Sequence, residues 1–249
     1  MISLESLVQD LVQANTIVAF SGAGISSESG IPTYRGAGGL WTKYDSNLYA
    51  NINHFNRDPS YYWNFFKDVR YPILKKARPN RAHLALAELE SMGKLKSVIT
   101  QNIDGLHQEA GSSRVIELHG NTRVMVCTDC LHEYSIDEAN AFLEKEIPPL
   151  CTDCRGILRP DVIFFGETLK PQVLDDAYRE AGSCDFLIAV GSSLVVTPAA
   201  DIPVTAKRAG AKLAILNIDP TPLDDIADYL ISEPAGDILT EILDFLKKS

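Results

Sequence analysis

Apolar residues recur along the chain at two spacings, and each spacing predicts a different element. Between residues 4 and 14 they return every three or four positions, which predicts an amphipathic helix. The unbroken apolar run 16–20 is instead typical of a strand buried on both faces of a parallel sheet. The same criteria predict strands at 95–100, 115–118, 185–190 and 213–216, and helices at 59–70, 82–91, 137–146, 171–181, 198–209 and 237–247.

The predicted strands and helices alternate along most of the chain. This pattern predicts an α/β fold, a Rossmann-like parallel sheet with helices on both faces. Two stretches, about 31–82 and 123–157, break the alternation and are predicted to be insertions that together form a second, smaller domain. The larger domain would then comprise about 1–30, 83–122 and 158–249. The cleft between the two is the expected ligand site.

Small and polar residues follow several of the predicted strands, where open α/β sheets bind their ligands. Gly22-Ala23-Gly24 follows the first strand, so backbone N–H groups there could hold a pyrophosphate. The third glycine of the dehydrogenase fingerprint is missing, and a tight strand-to-helix turn would explain the same residues. The other strand ends carry Gln101, Asn102, Asp104, His119, Gly191, Ser192, Ser193 and Asn217.

Four of the five cysteines form two Cys-x-x-Cys pairs separated by twenty residues: Cys127, Cys130, Cys151 and Cys154. This spacing predicts a tetrahedral Zn²⁺ site, whereas a redox dithiol would need only one pair. Four thiolates fill the coordination sphere and leave no position for substrate, so the zinc is expected to be structural. Cys184 stands apart and is expected to be a small core residue.

Charge and composition narrow the classes of partner. The net charge is -10, with 45% hydrophobic residues, which is typical of a globular protein and argues against nucleic acid as a partner. An acidic surface would attract a basic peptide. No apolar run approaches the ~20 residues that span a bilayer, and residues 1–5 lack signal-peptide features. With paired cysteines that suit a reducing compartment, these features predict a cytoplasmic protein without a membrane partner.

Taken in order, these motifs resemble the sirtuin family, the NAD-dependent protein deacylases. The resemblance runs from about residue 16 to the C-terminus, across more motifs than chance would align. The matching stretches are Gly22-Ala23-Gly24-Ile25-Ser26, Gly30-Ile31-Pro32-Thr33-Tyr34-Arg35-Gly36, Thr100-Gln101-Asn102-Ile103-Asp104, His119-Gly120, the four cysteines, Phe165-Gly166-Glu167, Gly191-Ser192-Ser193 and Asn217.

The resemblance implies a role for each matching residue. Implied NAD contacts are Gly22, Ala23, Ser27, Tyr34, Arg35, Gln101, Ile103, Asp104, Gly191, Ser192, Ser193, Asn217, Ile218 and Ala235. Within this set, Ile103 and Asp104 would hold the nicotinamide amide. Val162, Ile163 and Phe165 would pair with an acylated lysine peptide as an added strand. His119 and Asn102 are the implied catalytic residues.

The implied reaction yields nicotinamide, O-acyl-ADP-ribose and free lysine. The substrate's acyl oxygen is the nucleophile, and a base must then deprotonate a ribose hydroxyl. A histidine titrating near neutrality suits that step, so His119 is the expected general base.

The chain departs from many sirtuins by having Tyr34 in place of a phenylalanine, which adds a hydroxyl that needs a partner.

A second departure concerns the acyl group. Some sirtuins that remove acidic acyl groups carry a Tyr-x-x-Arg pair in the aromatic helix, and the best-matching positions here are Phe66 and Val69. Neither side chain can bind a carboxylate, which predicts a neutral acyl group.

Three other functions remain open: ADP-ribosyl transfer to a protein, a non-catalytic NAD- and zinc-binding module, and hydride transfer, which the missing glycine disfavours.

Overall fold

The computed structural model describes residues 4–36 and 38–248, and its main feature is a parallel sheet. The strands are β1 (Ile17–Ser21), β2 (Leu95–Thr100), β3 (Val115–Glu117), β4 (Gly120–Cys127), β5 (Glu133–Ser135), β6 (Leu158–Val162), β7 (Phe186–Val190), β8 (Lys212–Leu216) and β9 (Tyr229–Ile231). Six of them form one sheet in the order β3-β2-β1-β7-β8-β9. Every neighbouring pair in it is parallel, so the predicted fold class is confirmed.

Helices cover both faces of this sheet. They are α1 (Leu4–Gln13), α2 (Ser46–Tyr49), α3 (Ile52–Arg57), α4 (Ser60–Phe65), α5 (Tyr71–Lys76), α6 (Arg81–Ser91), α7 (Leu106–Glu109), α8 (Ile136–Leu143), α9 (Pro171–Ser183), α10 (Asp201–Arg208) and α11 (Ala235–Leu246). Helices α1, α6 and α11 pack on one face and α9 and α10 on the other. Successive side chains of β1 point to opposite faces, which is why the whole strand is buried and its first four residues are apolar.

The aromatic helix predicted at 59–70 is longer and less regular than expected. Helix α4 ends at Phe65, a wide π-helical turn follows over Phe66–Arg70, and α5 continues to Lys76. The wide turn lies just before Pro72, which has no N–H to donate to the preceding turn. The periodicity of apolar residues cannot show such a turn, because one extra residue per turn rotates the side chains that follow it.

A second, antiparallel sheet has the order β5-β4-β6 and packs against the aromatic helix. Its core brings Trp63 and Phe66 of the first predicted insertion against Met125 and Tyr134 of the second. The two insertions therefore share one apolar core, while the division into two domains stays a prediction. None of the described helices is long and apolar enough to cross a bilayer.

Candidate active site

A cleft of about 1160 Å³ opens at the carboxyl ends of the parallel strands. Its wall contains residues from the ends of β1, β2, β7 and β8, from the segment after β6, and from the loop 32–41. All the cofactor, catalytic and substrate residues named from the sequence line this cleft, except Asp104. Their individual roles stay predictions, but the folded chain does bring them together.

The turns after β1 and β7 pack against each other at the centre of the cleft. Gly24 donates its N–H to the Gly191 carbonyl over 2.7 Å, and Gly22 donates to Val190 over 3.1 Å. A Cβ on Gly191 would lie 2.2 Å from the Ile25 nitrogen, and Gly191 has φ +61°. Only glycine fits there, so the sequence of the turns follows from their close approach.

His119 follows β3 and presents one ring nitrogen to the cleft. Its Nδ1 lies 2.9 Å from the Gln101 carbonyl oxygen. A carbonyl can only accept a hydrogen bond, so Nδ1 carries the proton and Nε2 keeps its lone pair. Burial lowers the pKa of His119 below its ordinary value, against the opposing effect of the Gln101 hydrogen bond. The imidazole is therefore neutral at pH 7 and able to accept a proton at Nε2.

Asn102 lies beside His119 with its amide hydrogens already used. Its Nδ2 donates to the Gly22 carbonyl and to Ser26 Oγ, each over 3.1 Å. The side-chain oxygen is the atom left to accept a hydrogen bond from a ligand or a water in the cleft. Asn102 is 5% exposed, so its position is fixed by the surrounding protein.

Asp104 lies behind the cleft wall instead of in it. Its carboxylate accepts hydrogen bonds from Ser26 Oγ over 2.8 Å and from the Leu106 N–H over 3.0 Å. Burial raises the pKa of Asp104 above its ordinary value, although these two hydrogen bonds oppose the rise. Each carboxylate oxygen keeps a lone pair beyond these two hydrogen bonds, so the bonds do not by themselves prevent Asp104 from accepting from a nicotinamide amide.

Two buried histidines, which the sequence reasoning did not single out, lie beneath this network. The rings of His83 and His107 are 4.9 Å apart. Burial lowers the pKa of His83 to about 4 and that of His107 to about 3, so both are neutral. His83 Nε2 lies 3.4 Å from Ser26 Oγ and His107 Nε2 lies 2.8 Å from Ser21 Oγ. His83 helps to position Ser26, which in turn contacts Asn102 and Asp104, whereas the partner of His107, Ser21, donates to Thr100.

The opposite end of the cleft is acidic. Gln101 donates to Ser192 Oγ over 2.8 Å, which joins the ends of β2 and β7. Asn217 donates its side-chain N–H to the Asp219 carbonyl over 2.6 Å, and Ile218 is 65% exposed. Ala235 begins α11, whose first turn is already capped by the Glu28 carboxylate through the Gly236 N–H over 2.9 Å.

The segment after β6 closes the side of the cleft next to His119. The Ile163 N–H donates to the His119 carbonyl over 2.9 Å, which ties this segment to the expected base. The Phe165 N–H donates to Ala50 over 2.8 Å, and the Phe165 carbonyl accepts from Ile52 over 3.0 Å. A peptide strand added here would have to use other backbone groups of the segment, such as the Ile163 carbonyl, together with the exposed Phe165 ring.

The two positions matched to the Tyr-x-x-Arg pair do not face the cleft. Phe66 is fully buried in the core of the small sheet, and Val69 packs near Ile31 and Leu74. Arg70, one position further along the wide turn, lines the cleft instead, as does Tyr62. The sequence allowed Tyr62 to line an apolar groove or to belong to the core, but it did not indicate Arg70, because a regular helix would have turned position 70 elsewhere.

The four cysteines gather at the far end of the small sheet, and none of them lines the cleft. Their sulfurs all lie within 4.8 Å of one another, with Cys127 and Cys154 3.5 Å apart and Cys130 and Cys151 3.6 Å apart. These separations suit a tetrahedron with Zn–S bonds of ~2.3 Å, which needs sulfurs about 3.8 Å apart. Backbone N–H groups point at Cys127, Cys151 and Cys154, as expected around thiolates. The set fits zinc. Cys184 is buried in the main core, as predicted.

Comparisons with known proteins agree with this geometry. The model of the Sir2 family matches residues 22–198. An NAD-dependent protein deacetylase of Saccharolobus solfataricus is 48% identical, with 98% of this chain and 97% of the relative covered. NAD-dependent protein deacylase 1 of Archaeoglobus fulgidus is 43% identical, with 98% of each chain covered.

Solved structures give the same result. A complex of Sir2 with p53 peptide and NAD+ has a TM-score of 0.92 at 38% identity, covering 99% of this chain and 100% of that one. An ADP-ribose complex of a Sir2 homologue has a TM-score of 0.92 at 43% identity, covering 98% of this chain and 96% of that one. With a family match over most of its length and close relatives over nearly all of it, this chain belongs to the Sir2 family.

Proposed function

We propose that this protein removes an acetyl group, or another neutral acyl group, from lysine side chains of other proteins and consumes NAD in doing so. The products are nicotinamide, O-acyl-ADP-ribose and free lysine. The observation that carries the proposal is a neutral His119 with a free Nε2 in the wall of a cleft at the ends of parallel strands. Relatives that are 43–48% identical over nearly their whole length are named deacetylases and deacylases.

NAD would lie across the strand ends as a co-substrate. The turns at Gly22–Ser27 and Gly191–Ser193 are lined by backbone and small side chains that let a pyrophosphate approach closely. The adenosine half would contact Asn217, Ile218 and Ala235 at the acidic end. The nicotinamide half would extend towards Gln101, Ile103 and Asp104, with Tyr34 and Arg35 on the loop above it.

In this reaction the protein positions the two substrates and supplies one general base. The acyl oxygen of the lysine substrate attacks C1′ of the ribose as the bond to nicotinamide breaks, which leaves nicotinamide neutral. His119 Nε2 would then take the proton of a ribose hydroxyl, and the resulting oxygen would attack the acyl carbon. The bond from that carbon to the lysine nitrogen would break as His119 returns its proton to the departing amine, and one water would add at the carbon, with loss of a proton, to give O-acyl-ADP-ribose. Asn102 offers its side-chain oxygen to a hydroxyl or a water in the same space.

The peptide would enter along the segment Val162–Phe165, where the acylated side chain can reach His119. The net charge of -10 favours peptides with basic residues around the lysine. The acyl group would be neutral, because Phe66 and Val69 offer no cation. Arg70, which does line the cleft, is already hydrogen-bonded to the Tyr34 hydroxyl over 2.8 Å.

Zinc would be held by Cys127, Cys130, Cys151 and Cys154, and its chemistry is structural cross-linking of the small sheet. We also propose that the two predicted insertions act as a small domain against the larger one. We propose a cytoplasmic location, because cysteines paired as zinc ligands suit a reducing compartment.

The decisive experiment measures nicotinamide release from NAD with and without an acetyl-lysine peptide, and identifies the other product by mass. Release that depends on the peptide and yields O-acetyl-ADP-ribose supports the proposal. ADP-ribose attached to protein would favour ADP-ribosyl transfer instead, and reduced-cofactor absorbance would favour a dehydrogenase. Binding of NAD without any nicotinamide release would favour a non-catalytic module.

A further inference from the structure

Arg70 is the last residue of the wide turn, and it points at the loop that covers the cleft. Its guanidinium donates a hydrogen bond to the Tyr34 hydroxyl over 2.8 Å. The guanidinium carbon also lies 5.4 Å from the centre of the Tyr34 ring. The hydroxyl added by the departure from phenylalanine therefore has a partner, and that partner comes from a different element.

No carboxylate forms an ion pair with Arg70 within 4.0 Å in the part of the chain that the structure describes, although the negative charge of Asp104 acts on it from further away. None of the ion pairs among the described residues, counted up to a nitrogen–oxygen distance of 4.0 Å, includes Arg70. Arg159, which also contacts the small-domain core, is paired with Glu167 over 2.9 Å. A half-buried cation without a carboxylate is costly to stability. The contacts that Arg70 does make are with the Tyr34 hydroxyl and ring.

Tyr34 is held within its own loop as well. Its ring stacks on Trp41 with centroids 5.4 Å apart, and its carbonyl accepts from the Trp41 N–H over 3.0 Å. The Leu40 N–H donates to the Thr33 carbonyl over 2.7 Å. The two ends of the loop, residues 33 and 41, thus close on each other, and Arg70 connects that closed loop to the aromatic helix.

We propose that Arg70 is a positioning residue that holds Tyr34, and with it the described loop residues 33–36 and 38–41, over the reacting end of NAD so that water is kept from the ribose. This inference rests on the proposed function, because it assumes that NAD occupies the cleft. It goes further in assigning the exclusion of water to the contact between the Arg70 guanidinium and Tyr34.

The competing reaction that the contact suppresses is simple hydrolysis. Water attacks C1′ in place of the acyl oxygen, the bond to nicotinamide breaks, and ADP-ribose, nicotinamide and one proton are formed. No other reactant is needed. Each such event releases nicotinamide without freeing a lysine, so the ratio of nicotinamide released to lysine deacylated reports how well the loop is held.

Two variants test the contact from its two sides. Arg70→Met keeps the length of the side chain but removes its donors, and Tyr34→Phe removes one oxygen and keeps the ring. Hydrogen bonds to charged groups imply an effect of about ten- to hundredfold on the population of the held loop. We expect the nicotinamide-to-lysine ratio to rise from near one and KM for NAD to increase by about tenfold in both variants.

The double variant and the controls show whether the effect arises from the contact between Arg70 and Tyr34. If the two residues act as one contact, Arg70→Met with Tyr34→Phe should be no worse than the more impaired single variant. Arg70→Lys, which can still donate to the hydroxyl, should recover part of the ratio. Arg179→Met, which removes an exposed arginine on α9, should match wild type. Thermal melting identifies any variant that is merely misfolded.

Three outcomes would overturn the inference. One is a ratio that stays near one in both single variants, and a second is fully additive effects in the double variant. The third is a selective loss of desuccinylation in Arg70→Met, which would show that the guanidinium serves an acidic acyl group. Failure of the wild-type protein to release nicotinamide at all would instead refute the proposed function.

Discussion

Replacing His119 by alanine is the most direct test of the assigned chemistry. The substitution removes an imidazole whose tautomer the structure defines, with Nδ1 bonded to the Gln101 carbonyl over 2.9 Å and Nε2 free. General-base help is worth ~10²–10⁴-fold in rate. We therefore expect O-acetyl-ADP-ribose formation to fall by that factor, which corresponds to roughly 2.7–5.4 kcal/mol of transition-state stabilisation.

The substitution should slow only the step that follows cleavage of the bond to nicotinamide. Breaking the bond to nicotinamide precedes the step that needs the base, so exchange of labelled nicotinamide into NAD should survive much better than product formation. The control is His54→Ala, since His54 lies on α3 outside the cleft wall. Equal losses of exchange and product formation would refute the assignment of His119 to the second step.

The pH dependence of the same reaction gives an independent check. The unperturbed pKa of histidine is ~6.5, and burial lowers that of His119. Below its pKa the ring is protonated and cannot act as a base, so activity is lost as pH falls. In kcat/KM, which reports the free enzyme, the acid limb should bend below pH ~6.5, and activity should stay level from there through neutrality. A limb assigned to His119 that bends above this value would contradict the burial argument.

Three further outcomes are expected. Removing zinc with a chelator, or substituting Cys151→Ser, should lower the melting temperature and the zinc content per chain, because a structural zinc site contributes directly to folding. Cys184→Ser should leave the zinc content unchanged. An acetyl-lysine peptide should be turned over faster than a succinyl-lysine peptide, and a clear preference for succinyl would contradict the neutral-acyl prediction. Gly191→Ala should weaken NAD binding and destabilise the fold by at least ~1–3 kcal/mol, measured by calorimetry and denaturant titration, because its Cβ would lie 2.2 Å from the Ile25 nitrogen at a φ of +61°. Wild-type behaviour of that variant would show that the close approach of the two turns is not needed.

The main sheet could be predicted because its strands are buried on both faces. The strand predicted at 95–100 has the same bounds as β2, and those of β7 and β8 differ by a single residue at one end. Strands β4, β5, β6 and β9 were not predicted. β4, β5 and β6 form an antiparallel sheet with mixed burial, and β9 is a three-residue edge strand whose central Leu230 is exposed, so none of them has the continuous buried apolar run of the predicted strands.

Some residues of the cleft could likewise be predicted from the sequence, and others could not. Residues that follow a strand, such as Asn102, His119 and Ser192, could be named because chain order alone places them at one edge of the sheet. His83 and Ser26 could not be, because their contact depends on how α6 packs against the first turn. The position of His83 in the capping box of Asn80 is visible in the sequence, but a capping box predicts the start of a helix and does not indicate a functional site.

The two sides of the cleft differ in how they are held, and this difference predicts how substitutions will divide. The strand-end side is fixed by backbone approach and by buried hydrogen bonds from Asn102, so the expected base and its neighbours have one position. On the loop side, backbone hydrogen bonds close the loop on itself, and the side chain of Arg70 connects it to the aromatic helix through Tyr34. Changes on the strand-end side should therefore lower kcat, because they remove or displace groups needed in the transition state. Changes on the loop side should raise KM for NAD and admit water, because they alter how long the loop stays closed over a bound substrate.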